Sequence, residues 1–322
     1  MELGLAPDQS RNTFSVMQSQ ATLAESLGYT TLWTHEHHSH AMMYPDPLMA
    51  LAAVAPVTST IRLGTSMLLL PIHHPVRVAQ AAAMLDVLSG GRVCLGVANG
   101  YSAEDLATFG VPSARRGRRL SAGLQLLRDL WSGKPVTAAG DDFTLQDFVL
   151  FPKPVQKAGP PLYVGGHADV AIRRAADMGD NFFISTTASF DMVRDLISRY
   201  REFMREGGRP FDGVYLNRIL CVTGNAKETA SAREFYSRAL LRLYDGWGHE
   251  NVTRLTAEQR STEYISRANL IVGEATHCHE RILEYQELGV GHIACLTNFG
   301  SPPVDLMQRS ILLAGEKIIP RL

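Results

Sequence analysis

Short apolar runs alternate with longer amphipathic stretches along most of the chain, the pattern of βα units built on a parallel sheet. Glu2 to Ala6 predicts a first strand, Thr13 to Leu27 has helical spacing that stops at Gly28, and Tyr29 to Thr34 predicts a second strand. Pro47 to Val57 reads as a helix, Ile61 to Leu69 as a strand, Pro75 to Leu88 as a helix opened by proline, and Arg92 to Val97 as a buried strand. A helix follows over Arg115 to Trp131. The alternation resumes with strands at Leu162 to Val164, Asn181 to Ser185, Val214 to Thr223 and His292 to Leu296. Helices are predicted at Asp169 to Met178, Phe190 to Glu206, Ala226 to Tyr244, Thr276 to Leu288 and Pro303 to Ile319. Eight strands alternating with helices predict an α/β fold, a (β/α)8 TIM barrel. The runner-up is a doubly wound open sheet, which needs a reversal of strand order.

Two segments break the pattern. Residues 133–161 carry several prolines and glycines with weak alternation around Phe143 to Phe151, the signature of a hairpin insertion. Residues 246–268 are polar without a clear period and read as a lid or an ornament. The rest reads as a single barrel domain over residues 1–322. With 322 residues and 45% hydrophobic content the chain can bury a large core.

The formal net charge is -1 with both signs interspersed, which argues against a nucleic-acid track or an anionic-membrane patch and leaves small molecules as expected partners. Cys94, Cys221, Cys278 and Cys295 are far apart, lack CxxC spacing and mostly sit in apolar runs, as reduced core thiols do. With no basic, apolar leader and no membrane span in the sequence, a cytoplasmic enzyme is expected.

In a TIM barrel the chemistry gathers where strands end. Four predicted strand ends are polar or glycine-rich: Thr34-His35-Glu36-His37-His38-Ser39-His40, Ser66-Met67-Leu68, Ala98-Asn99-Gly100-Tyr101 and Gly165-Gly166-His167. His35 and His37 could hold a divalent metal through imidazole nitrogens, with His167 available, but no carboxylate on the later strand ends completes the shell, and no metal is assigned. Solvated or rim-packed imidazoles are the bland reading of His35, His38 and His40. Gly165-Gly166-His167 precedes a helix, so its backbone N–H groups could hold a phosphate, or the glycines could simply serve a tight turn.

Taken together, several segments in order resemble the bacterial luciferase-like family of flavin-dependent monooxygenases and oxidoreductases. They are Leu27-Gly28-Tyr29-Thr30-Thr31-Leu32-Trp33-Thr34-His35-Glu36-His37-His38, Ile61-Arg62-Leu63-Gly64-Thr65, Pro71-Ile72-His73-His74-Pro75-Val76-Arg77, Leu85-Asp86-Val87-Leu88-Ser89-Gly90-Gly91-Arg92 and Leu95-Gly96-Val97. Val164 to Asp180 and Gly289 to Leu296 also fit. The resemblance implies a TIM barrel that takes reduced FMN from a separate flavin reductase and uses O2, through a flavin peroxide, to oxygenate a small organic substrate. It assigns His37 as the catalytic acid or base, with Ser66, Met67, Ala98, Asn99, Tyr101, Gly165, Gly166 and His167 against the cofactor. It also implies a non-proline cis peptide at Ser66-Met67.

Two departures qualify the resemblance. His167 replaces a hydroxyl that relatives turn to the FMN phosphate, and Asn99 stands where several relatives carry an arginine, so it brings a hydrogen bond without charge. Arg77 or Arg173 could compensate. The alternative reading is the deazaflavin-dependent branch, which transfers hydride without oxygen. A further one is a luciferase-like support subunit without an active centre, against which the retained His37 argues. The alanine-rich stretches Met49 to Val57 and Val78 to Leu85 either close-pack a homodimer or pack against the barrel itself.

Overall fold

The computed structural model describes residues 1–9, 14–38 and 43–322. Thr13, Ser39 and His40 lie outside the described residues. In chain order the strands and helices are β1 (Glu2–Ala6), α1 (Phe14–Ser26), β2 (Thr31–Thr34), α2 (Pro47–Val54), β3 (Arg62–Leu68), α3 (Pro75–Ser89), β4 (Val93–Val97), α4 (Ala103–Thr108) and α5 (Arg116–Trp131). They continue with β5 (Val136–Ala139), β6 (Thr144–Phe148), β7 (Leu162–Gly165), α6 (Asp169–Met178), β8 (Asn181–Ile184), α7 (Phe190–Glu206), β9 (Val214–Val222), α8 (Ala226–Gly246) and α9 (Glu250–Thr253). The chain closes with α10 (Thr262–Asn269), β10 (Leu270–Gly273), α11 (Ala275–Leu288), β11 (Val290–Leu296) and α12 (Val304–Lys317). All eight expected strands are present, and the fold is the expected (β/α)8 TIM barrel.

The chain forms two compact units, Met1–Trp33 with Ile184–Leu322, and Thr34–Phe183. In the first, β1 pairs in parallel with β2 and β11, and β9 pairs with β11 and β10. Its interior is apolar apart from fixed polar groups. Trp33 donates its indole N–H to His292 Nε2 at 2.9 Å, and the Tyr215 ring stacks on His292 at 4.7 Å. Gly4 is required beside them, because a Cβ there would overlap the Trp33 indole. Arg218 is fully buried, and its guanidinium donates to the Tyr285 hydroxyl at 2.8 Å and to the carbonyls of Ala188 and Thr186 at 2.6 and 3.1 Å. Such bonding is what lets a guanidinium leave water.

In the second unit β3, β4, β7 and β8 pair in parallel, in that order. The strands are buried along nearly their whole length, the expected pattern for parallel strands covered on both faces. Several residues that carry the family resemblance prove to be structural here. Arg92 caps its surroundings with bonds to the carbonyls of Ser89, Ile61, Ala55 and Thr58 at 2.7 to 3.1 Å. The fully buried Asp86 carboxylate accepts from the Gln156 backbone and side chain at 3.0 and 2.7 Å, which fixes the chain as it returns from the insertion. Gly90 ends α3 with φ +67°, a left-handed conformation that favours glycine.

Residues 133–161 contain the expected antiparallel hairpin, β5 with β6. Residues 246–268 differ from expectation. They hold α9 and nearly all of α10, each opened by a side-chain cap, His249 to the Asn251 N–H and Ser261 to the Tyr264 N–H. The additional strand β10 is a four-residue run pairing with the upper part of β9, from Leu270 opposite Ile219 to Gly273 opposite Val222. A run that short gives no readable period. The four cysteines are free and buried, and burial pushes Cys94 up to about 11 and Cys221 to about 12. Among the described residues no helix is long and apolar enough to cross a membrane.

Candidate functional site

The four polar strand ends all belong to the second unit. Thr34 anchors the first as β2 leaves the sheet, its hydroxyl donating to the Pro47 carbonyl at 3.2 Å. The next four residues fan out. His35 is buried, and its Nε2 shares a hydrogen bond of 3.2 Å with the Ser66 hydroxyl. Glu36 is only 3% exposed and accepts from the Leu69 N–H on Oε2 and from His38 Nε2 and His73 Nε2 on Oε1, each at 2.7 Å. Because an ionised carboxylate can only accept, both imidazoles present Nε2–H to it. His37 is half-buried, with its ring edge-on to Tyr101 at 6.2 Å. His38 packs on Phe109 at 4.5 Å.

These contacts set the local charges. Burial pushes the Glu36 carboxyl up, but the bonds from His38 and His73, the His73 charge and the Leu69 N–H together hold it below its ordinary value. The bond to Glu36 lifts His38 above its ordinary value against partial burial, aided by the charges of Glu36 and Asp105. Burial raises Asp105 despite the opposing His38 charge.

The peptide between Ser66 and Met67 is cis, as the resemblance implies. Met67, Ala98 and Gly165 converge: a Cβ at Gly165 would meet Met67 Cε at 3.1 Å and the Ala98 Cβ at 3.6 Å. A Cβ at Gly96 would overlap the Thr65 carbonyl, so β3 and β4 approach too closely for any side chain there. Ala98 donates its N–H to the Leu68 carbonyl at 3.0 Å, and Gly100 packs on Leu69. Gly166 has room for no side chain, because a Cβ would overlap Ala171. His167 follows, just ahead of α6, whose N-cap, Ala168, makes no side-chain bond and whose first turn contains Asp169. That carboxylate already sits at the positive end of the helix.

Asn99 carries an unsatisfied buried acceptor just beyond the end of β4. Its Oδ1 is buried and has no hydrogen-bond partner among the described residues. A buried amide oxygen is costly to leave unpaired, and a bound molecule with an N–H or O–H donor would satisfy it. Arg77 and Arg173, either of which could compensate for the missing charge, are both exposed, Arg77 donating to Gln80 at 3.0 Å. In this unit the buried cation among the described residues is Arg174 of α6, whose Nε donates to Ser121 at 2.8 Å while Nη1 has no partner among the described residues.

The structure therefore brings Ser66, Met67, Ala98 and Gly165 into one cluster and sets His37 beside Tyr101, with Asn99, Gly166 and His167 adjoining in sequence. Sequence reasoning missed the polar network around Glu36. The partners Glu36 and His73 lie 37 positions apart, and only the fold joins them. A cavity of about 260 Å³ opens beneath the hairpin, lined by Leu70, Pro71, His73, Arg119 and Phe143. None of the predicted site residues lines it. His35 and His37 engage different partners, and among the described residues no group of three or more His, Cys, Asp or Glu could hold a metal.

Comparison with known proteins places this geometry in context. The chain is 31% identical to 4-hydroxyprotoasukamycin monooxygenase of Streptomyces nodosus subsp. asukaensis, over 92% of this chain and 84% of that one. It is 26% identical to an F420-dependent glucose-6-phosphate dehydrogenase of Nakamurella multipartita, over 96% and 92%. Its fold superposes with a TM-score of 0.84 on the FMN complex of the oxygenating constituent of 3,6-diketocamphane monooxygenase from Pseudomonas putida, at 19% identity over 100% of this chain and 98% of that one. The family model for luciferase-like monooxygenases matches residues 2–292, and the chain belongs to that family.

Proposed function

We propose that this protein is an FMN-dependent monooxygenase, working on a small organic substrate with reduced FMN supplied by a separate reductase. The observation that carries the reading is the Asn99 Oδ1, buried and without a partner among the described residues, just beyond β4 where the ends of β3, β4 and β7 converge. Its fit to a flavin is chemical: a ring N–H or ribityl hydroxyl supplies the missing donor.

Reduced FMN, when bound, supplies the electrons that activate dioxygen. The protein's own residues do the rest. Met67 and Ala98 present apolar surface that keeps water from the reacting atoms. His37, half-buried beside Tyr101, takes or returns a proton at an imidazole nitrogen. Arg174 and the backbone N–H groups from Gly165 to His167 would hold the phosphate.

A second reading, hydride transfer with a deazaflavin, is favoured by the 26% identity to the F420-dependent dehydrogenase. The two readings part on dioxygen. Wild-type protein given reduced FMN is expected to consume O2 in a substrate-dependent way, and His37→Ala to lower that turnover at least tenfold, about 1.4 kcal/mol of barrier, with folding and FMN affinity retained. Normal turnover by the variant rejects the role of His37, and hydride transfer to F420 without O2 uptake replaces the first reading by the second.

We further propose one catalytic domain in a homodimer. One family model spans both compact units, and α2 and α3 carry exposed apolar side chains.

A further inference from the structure

The Glu36 side chain accepts three hydrogen bonds at the strand ends, and the proposed chemistry does not use it. Its carboxylate is 3% exposed, and a buried charge persists only where hydrogen bonds replace water. The three bonds it accepts come from three separate stretches: His38 in its own tail, Leu69 immediately after β3, and His73 ahead of α3, each at 2.7 Å. A second connection, His35 to Ser66 at 3.2 Å, joins the same two strand ends one residue earlier in the tail. The tail that carries His37 is thus tied to the segment that carries Met67 through His35 and Glu36, the two residues before His37. His73 is the more exposed of the two imidazoles in this network, and it also lines the 260 Å³ cavity under the hairpin.

We infer that Glu36 is a positioning residue: by accepting from Leu69, His38 and His73 together, it fixes Met67 relative to His37 and so shapes the surface the coenzyme meets. The inference rests on the flavin reading above. A carboxylate that served folding alone would give, once removed, a less stable protein with unchanged coenzyme affinity.

The test uses the full-length protein with Glu36→Gln, which keeps the size but turns a donor toward donors. His73→Phe and His73→Gln accompany it, because the partly exposed His73 can be changed without emptying the core. Dissociation constants for reduced FMN and for F420 are measured by fluorescence, and side-chain N–H signals of histidine by NMR on coenzyme-free protein. In wild type two imidazole Nε2–H signals should be shifted by the carboxylate, and both should move in Glu36→Gln. Affinity for the coenzyme that wild type binds should fall about tenfold or more in Glu36→Gln and by a smaller factor in His73→Phe. His73→Gln, which restores a donor, should recover most of it. Shifted NMR signals with unchanged affinity in both Glu36→Gln and His73→Phe would overturn the positioning role, as would failure of His73→Gln to improve on His73→Phe. If Glu36→Gln does not fold, the two His73 variants decide. Wild-type protein that binds neither coenzyme would sink the flavin reading and the role built on it, a failure recognisable because it precedes any substitution.

Discussion

At the scale of single residues, the pair Glu36 and His38 makes stability depend on pH in a direction that can be worked out. Glu36 is held below the ordinary carboxylate value of 4.5, so its stabilising share is complete above that value and is lost as pH falls through the depressed one. His38 is lifted above the ordinary 6.5, so its share is complete below that value and is lost as pH rises through the raised one. Glu36 faces His38 and His73, and His38 also faces Asp105, whose carboxyl is raised by burial and, further, by the charges of Glu104 and Glu36. The difference in thermal midpoint between wild type and Glu36→Gln should therefore be widest between about pH 4.5 and 6.5 and narrow on both sides. A difference that stays constant from acid to alkali would show that the pair is not ionised as described. Little of this was legible in the chain. The histidine tail announces a polar strand end, yet His35, His37 and His38 find unrelated partners, Ser66, Tyr101 and Glu36, because consecutive residues leaving a strand point in different directions. The role of Asn99 was likewise read from the charge it lacks, whereas its buried oxygen is a property of packing.

At the scale of elements, long periodic stretches declare themselves and short ones do not. The helices at Asp169–Met178 and Phe190–Glu206 fall where their spacing predicts, and the hairpin inside residues 133–161 follows from its turn residues. The helices α4, α9 and α10, of six, four and eight residues, are set mainly by capping residues such as Ser102 and Ser261, a signal that a search for period passes over. The close approach of β3 and β4 gives this scale its sharpest expectation. Gly96→Ala drives a Cβ into the Thr65 carbonyl, a backbone atom that cannot swing aside. A loss of about 3 kcal/mol, at the upper end for overpacking, is expected in urea denaturation. A loss under about 1 kcal/mol, the level of an ordinary substitution, would mean the strands can part at little cost.

At the scale of the whole molecule, the alternation of strand and helix sufficed for the barrel, since few folds satisfy eight such repeats. Assembly was less legible. The alanine stretches admitted either a contact face or packing against the barrel itself, and Ala50, Ala55, Ala79, Ala82 and Ala83 are buried within the chain. The exposed apolar side chains of α2 and α3 are Met49, Met84, Val87 and Leu88, the last three spaced as one helical face. If that face joins two copies, sedimentation should give a dimer for wild type and a monomer for Met84→Asp. A monomeric wild type refutes it.

The central claim is that the strand ends of the second unit hold a flavin-type ring. Its most direct test is an anaerobic titration of wild type and Asn99→Leu with reduced FMN, with F420 in parallel. Saturable binding of reduced FMN by wild type is predicted, weakened about tenfold in Asn99→Leu, the worth of one buried hydrogen bond. Binding of neither coenzyme by wild type, or equal affinity in the variant, would contradict it.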